Sequence, residues 1–264
     1  MKLFDSHAHY YDERFSEETE GGADAILSAL FSENVGWIVN VGTSNENAAE
    51  CINQAAKYKN MYAAVGIHPS DCRHYSDVDY EIDRLRRILD DKEEKKIVAL
   101  GEIGLDYHYE GTDKAKQMAF FERQLSLAEE LDLPVIIHDR EAHGDCFDTV
   151  CRHPNVRGVF HSYSGSAEMA LELVKRGWYI SFSGVLTFKN AHKVKEVAAI
   201  LPEDRILIET DCPYLAPHPH RGEMNHSGLM SFTLAELADI RCVSEEKMAE
   251  FTAKNAAKFF GITL

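Results

Sequence analysis

Along the chain, short apolar runs alternate with longer stretches in which apolar residues recur every three or four positions. The runs at 2–6, 36–41, 62–67, 97–102, 135–138, 158–161, 178–182 and 206–209 are rich in Val, Ile and aromatic residues. They are mostly continuous rather than alternating, which predicts parallel strands covered on both faces. The clearest helix follows the fourth run. Met118, Phe121, Gln124, Leu125, Ala128 and Leu131 form one stripe at helical spacing. Thr112 is placed to cap its start and Pro134 to end it. Further helices are predicted at about 22–32, 46–58, 79–91, 167–175, 191–200, 231–240 and 245–259. Eight strands joined by right-handed crossovers predict an α/β fold, a (β/α)8 TIM barrel, as a single domain over residues 1–264. A doubly wound open sheet is the alternative, and no glycine-rich phosphate loop follows the first strand to support it.

Composition narrows the function. With 28 Lys+Arg against 44 Asp+Glu the formal charge is −16. That excludes a protein coating nucleic acid with a broad basic surface, so any bound phosphate needs a local source of positive charge. The start has no basic segment followed by an apolar run, and no stretch approaches the ~20 apolar residues of a membrane span. Six scattered cysteines without a C-x-x-C pair read as reduced thiols. The expectation is a cytoplasmic chain with no membrane association and no obligate protein partner.

Candidate chemistry gathers at the strand exits. His7 and His9 stand two apart at the end of the first run and share a face. Such a pair can chelate one divalent ion or can be a buried hydrogen-bonded pair. His68, Glu102, His138, His161 and Asp211 close the third, fourth, fifth, sixth and eighth runs. In a barrel all these exits converge on one mouth, and a carboxylate there is costly unless paired or metal-bound. His7, His9, Glu102, His138, His161 and Asp211, with no cysteine among them, suit two divalent ions bridged by Glu102, with Mg, Mn or Zn as candidates. The other histidines read as surface residues, except that His220, beside Arg221 on the loop after the eighth strand, is ambiguous.

Several segments resemble the TatD family of metal-dependent deoxyribonucleases, within the amidohydrolase-like barrels. They include DSHAHYYDERF at the start, VGIHP (65–69), ALGEIGLDYHY (99–109), FHSYSGS (160–166) and ILIETDCPYLAPHPHRG (206–222), and span essentially the whole chain in order. The resemblance implies a TIM barrel that hydrolyses DNA phosphodiester bonds, as a 3′→5′ exonuclease on single-stranded or frayed ends. It also implies that His7, His9, Glu102, His138, His161 and Asp211 hold the metals, with Glu102 and Asp211 catalytic and Asp211 orienting water or accepting its proton. His68 would contact substrate phosphate. Glu209 would support the site or pair with a basic side chain. Arg140 would bind a phosphate or an internal carboxylate. Tyr107, Tyr109, Tyr163 and Tyr214 would stack on splayed bases or anchor their loops. Arg221 would be a further substrate contact, but the basic-Asn-Glu/Gln-Pro continuation of many relatives is replaced by Gly222-Glu223-Met224-Asn225, which removes a basic residue and adds an acidic one and argues against phosphate contacts from this loop. The alternative activity is hydrolysis of amides, lactones or aminoacyl esters. Many amidohydrolase-type barrels bridge their metals with a modified lysine where this chain has Glu102.

Overall fold

The computed structural model describes residues 2–264. Eight strands, β1 (Leu3–Ala8), β2 (Val35–Val41), β3 (Met61–Val65), β4 (Ile97–Asp106), β5 (Val135–Arg140), β6 (Gly158–Phe160), β7 (Tyr179–Phe182) and β8 (Ile206–Ile208), lie side by side in sequence order. Every neighbouring pair is parallel. The seam between β8 and β1 closes through the backbone, where Asp211 N–H donates to His7 O (2.9 Å) and His9 N–H to Cys212 O (2.8 Å). The result is a barrel, not the open sheet.

Between and after the strands run α1 (Arg14–Glu18), α2 (Gly22–Ser32), α3 (Ala48–Lys57), α4 (Val78–Leu89), α5 (Lys114–Leu131), α6 (His143–Arg152), α7 (Ala167–Lys175), α8 (His192–Ile200), α9 (Met230–Ile240) and α10 (Glu245–Phe260). Alternate strand residues divide the apolar interior in two, as the period of two requires. Phe4, Val39, Ala64, Ala99, Ile136, Val159 and Leu207 form an inner cluster with Ala256, Phe259 and Phe260 of α10, which closes the barrel floor. The residues of opposite parity, such as Ala63, Val65, Val135 and Ile137, pack with the surrounding helices. His138 and His161 continue the inward parity of Ile136 and Val159, so the polar groups sit on an apolar floor.

Several boundaries differ from expectation. β4 runs four residues past Glu102 because its pairing with β5 continues to Asp106↔Arg140. β3 stops at Val65, leaving His68 on a loop. The cap of α5 is Asp113, which accepts from Lys116 N–H at 3.0 Å, while the Thr112 hydroxyl donates to Tyr109 O. The same helix ends at Asp132 in the left-handed region (φ 49°), two residues before Pro134. Helix α6 was not predicted, because its buried residues Cys146, Thr149 and Val150 make too sparse a stripe. No described helix is long and apolar enough to cross a membrane.

Candidate metal centre

Glu102 lies at the middle of the mouth, 2% exposed, and its two oxygens face different neighbours. Oε2 is 3.3 Å from His7 Nε2 and 3.7 Å from His9 Nε2. Oε1 is 2.7 Å from His138 Nδ1, 2.7 Å from His161 Nε2 and 3.6 Å from His68 Nε2. Asp211 Oδ1 completes the first half, 3.2 Å from His9 Nε2 and 3.5 Å from His7 Nε2. Three groups bring their donor atoms within 4.8 Å of one another: His7, His9 and Asp211; His7, Glu102 and His161; and His68, Glu102 and His138. Donors bound at about 2.0–2.1 Å around a tetrahedral ion lie roughly 3.4 Å apart, so these spacings fit a common cation.

The far sides of the rings are held. His9 Nδ1–H donates to Val41 O (2.6 Å), and His161 Nδ1 meets Glu209 Oε1 at 3.1 Å. His138 Nε2 meets Asp106 Oδ2 at 3.2 Å. A fixed outer nitrogen leaves the inner one aimed at the centre. His7 is the exception: its Nδ1 is buried without a partner, and the ring is set by stacking on His161 with centroids 4.1 Å apart.

Burial opposes charge on Glu102, but His161, His68 and His7 outweigh it and hold its carboxyl well below the usual range. Asp211 is likewise lowered, burial being overcome by its bond with His9 and by His161 and His7. Against their own burial, carboxylate neighbours raise His9, His138 and His161. Burial and His138 push His68 down to about 3. The centre therefore attracts positive charge, which protons on three imidazoles or divalent cations can supply. The donor set of imidazole nitrogens and carboxylate oxygens suits the latter.

Supporting residues extend further than the sequence revealed. Asp5, wholly buried, accepts from Thr210 N–H (3.0 Å), Thr210 Oγ1 (2.7 Å) and Ser227 Oγ (2.7 Å), joining β1 to the strand-eight exit that carries Asp211. Asn225, in the segment that departs from the family pattern, donates to Thr210 O and Tyr214 O, so this loop braces the same exit. The loop bearing His68 is fastened by α5. Gln124 Oε1 accepts from Ile67 N–H (2.7 Å) while its Nε2 donates to Ile67 O (3.0 Å). Gln117 Oε1 accepts from Asp106 N–H (3.0 Å) and its Nε2 donates to Pro69 O (3.3 Å). Gly104 has φ +143°, and a Cβ there would stand 2.0 Å from His138 O, so only glycine lets β4 lie this close to the metal-facing end of β5.

Arg140, Tyr107 and Arg221 lie outside this cluster. Arg140 stands over the Tyr109 ring at 5.5 Å and Arg221 over Phe188 at 4.2 Å. The Tyr107 hydroxyl donates to Asp145 (2.8 Å) with Lys114 over its ring. Tyr163 is buried and donates to Ser166 O, a loop anchor, whereas Tyr109 and Tyr214 are exposed. His220 pairs with Glu223.

A parallel barrel whose strand exits converge on five imidazoles and two acidic side chains able to hold divalent cations has the build of a metal-dependent hydrolase. The family described as TatD related DNase matches residues 4–261. The chain belongs to the TatD family of metal-dependent hydrolases. It is 38% identical over 263 residues to the uncharacterized metal-dependent hydrolase YabD of Bacillus subtilis strain 168, covering 98% of this chain and 99% of that one. Identity to the uncharacterized metal-dependent hydrolase YcfH of Escherichia coli K12 is 34% over 265 residues, covering 99% and 97%. Among solved structures, the TatD homolog YjjV of Escherichia coli K12 superposes with a TM-score of 0.91 at 30% identity, covering 99% of this chain and 98% of that one.

Proposed function

We propose that the protein hydrolyses DNA phosphodiester bonds, shortening single-stranded or frayed ends from the 3′ side. His7, His9 and Asp211 would hold one divalent ion, His138 and His161 a second, and Glu102 would bridge them. The observation that carries this reading is the division of the Glu102 carboxylate, with Oε2 toward His7 and His9 and Oε1 toward His138 and His161. When bound, the ions supply Lewis acidity, acidifying water and stabilising charge on the attacked group.

The chain's own groups do the rest. Asp211 is ionised and has a side chain 15% exposed, so its carboxylate reaches solvent at the rim and takes the proton of the attacking water. His9, fixed by Val41 O, keeps Asp211 Oδ1 oriented at 3.2 Å. His68, 14% exposed on its fastened loop, faces the open side, where a phosphate oxygen would sit. The inner cluster beneath Glu102 excludes water from below.

The test is an end-labelled single-stranded DNA assay on metal-stripped protein replenished separately with Mg, Mn or Zn, with Glu102→Ala as the contamination control. Shortening from the 3′ end by wild type alone is expected. No cleavage with any ion, despite measured occupancy of two metals, would overturn the reading and favour carbonyl esters or amides as substrates.

A further inference from the structure

Beside the metal centre, between the loop after β3 and the loop after β4, lies a cavity of about 470 Å³. That volume falls within the range of small-molecule sites, about 300–1,000 Å³. Asp106 forms part of its wall and touches His138 Nε2 at 3.2 Å, so the cavity opens directly alongside one half of the centre. Resting on the nuclease reading above, we propose that this cavity binds the nucleotide adjoining the scissile phosphodiester, with its base on Tyr109 and its further phosphate on Arg73 and Lys116.

Three observations carry the assignment. Tyr109 is 59% exposed, with Arg140 5.5 Å from its ring centroid and the His108 ring in a T-shaped contact at 5.1 Å. A ring placed this way while most of its surface meets solvent is a ready stacking platform, and stacking accepts any base.

The second observation concerns charge. Among the described residues neither Arg73 nor Lys116 has a carboxylate within 4.0 Å; the Arg73 side chain donates only to His74. In a chain of net charge −16, these two side chains line one cavity next to the centre without an ion-pair partner, and each has its donors available to a phosphate oxygen.

Third, two acidic groups of the same wall are already engaged. Asp106 accepts from His108 N–H (3.0 Å) as well as facing His138, and Asp113 is occupied as the cap of α5. Glu110, exposed, is the third carboxylate of the lining. Hydrogen bonding fixes Asp106 and Asp113 without cancelling their charge, so Arg73 and Lys116 would act on an anion by direct contact and not through the net charge of the cavity. A nucleotide held here would have Tyr109 on one wall, Arg73 and Lys116 on another, and Asp106 between it and His138.

The experiment compares a trinucleotide with methyl 4-nitrophenyl phosphate, a diester too small to reach the cavity, on metal-loaded protein. In the double variant Arg73→Met/Lys116→Met, kcat/KM for the trinucleotide should fall about tenfold, chiefly through KM, while the small diester changes less than about twofold. Tyr109→Leu should lower the trinucleotide by about tenfold but leave unaffected a trinucleotide abasic at the adjoining position. An unchanged trinucleotide KM in both variants, or equal losses on both substrates, would overturn the assignment. If wild type hydrolyses neither diester, the nuclease reading fails separately. Fluorescence anisotropy with the labelled trinucleotide then decides the cavity's role: weaker binding by the variants supports it, and equal binding refutes it.

Discussion

Gln124 offers the sharpest test of how the mouth is assembled. Its amide is wholly buried and makes both of its hydrogen bonds to the backbone of Ile67, itself 1% exposed. β3 has ended two residues earlier, so Ile67 has no strand neighbour and the side chain of Gln124 stands in for one. Gln124→Leu keeps the volume but leaves an N–H and a C=O buried without partners. At about 1–3 kcal/mol for each unsatisfied group, the loss is roughly 2–5 kcal/mol once removal of the glutamine's own buried amide is set against it. At about 2–4 °C per kcal/mol for a chain of this size, Tm should fall on the order of 5–15 °C. The measurement is thermal and urea unfolding of metal-stripped protein by circular dichroism. Turnover should fall as well, since residues 67–69 carry His68. In a double-mutant cycle, His68→Ala should then cost less activity in the Leu background than in wild type. Gln124→Glu should lie between the two and recover as pH falls, because the protonated carboxyl can donate to Ile67 O. A Leu variant that melts within about 2 °C of wild type, with His68→Ala costing the same in both backgrounds, would refute the fastening argument.

Glu209→Gln removes the charge that holds His161 Nδ1–H, and should weaken metal affinity by about 10–100-fold in a chelator titration while the melting curve of the metal-free protein stays close to wild type. Gly104→Ala places a methyl group 2.0 Å from His138 O and should destabilise by more than about 3 kcal/mol, seen as a lowered urea midpoint or insoluble expression. Asp211→Asn should lower kcat more than it raises KM on single-stranded DNA, and a variant with normal kcat would remove Asp211 from proton transfer. Metal affinity should rise between about pH 6 and 8, because protons and metal ions compete for the same imidazole nitrogens; isothermal titration across that range reads the slope.

The seven residues singled out at the strand exits were legible because a titratable group ending an apolar run is conspicuous. The structure brings all of them around Glu102. Asp106 was hidden because Glu102 and Gly104 interrupt the apolar run, although Ile103 and Leu105 are buried and pairing with β5 continues to Arg140. Gln124 was visible only as part of a helical stripe, where its spacing reads as packing; that its amide grips another segment is a tertiary fact. Gln117 gave no such signal. Asp5, next to His7, was overshadowed by the histidines, yet a wholly buried aspartate with four donors joins two ends of the chain. Arg140, Tyr107 and Arg221, expected to contact substrate from the family resemblance and from their places beside the strand exits, lie outside the cluster, and their placement depends on loops whose course no periodicity encodes.

The floor and the seam of this barrel have a consequence for how the chain comes to life. β1, which carries His7 and His9, must wait for β8 to pair its free edge, and the inner cluster stays open until Phe259 and Phe260 arrive with α10. At synthesis rates of about 5–20 residues per second, some 250 residues separate these events by roughly 10–50 s. Throughout that interval the nascent chain presents an unpaired strand edge and an unroofed apolar interior, the surfaces through which chains stick to one another. A ribosome-bound intermediate ending before residue 259 should therefore be captured by chaperones far more readily than the finished barrel.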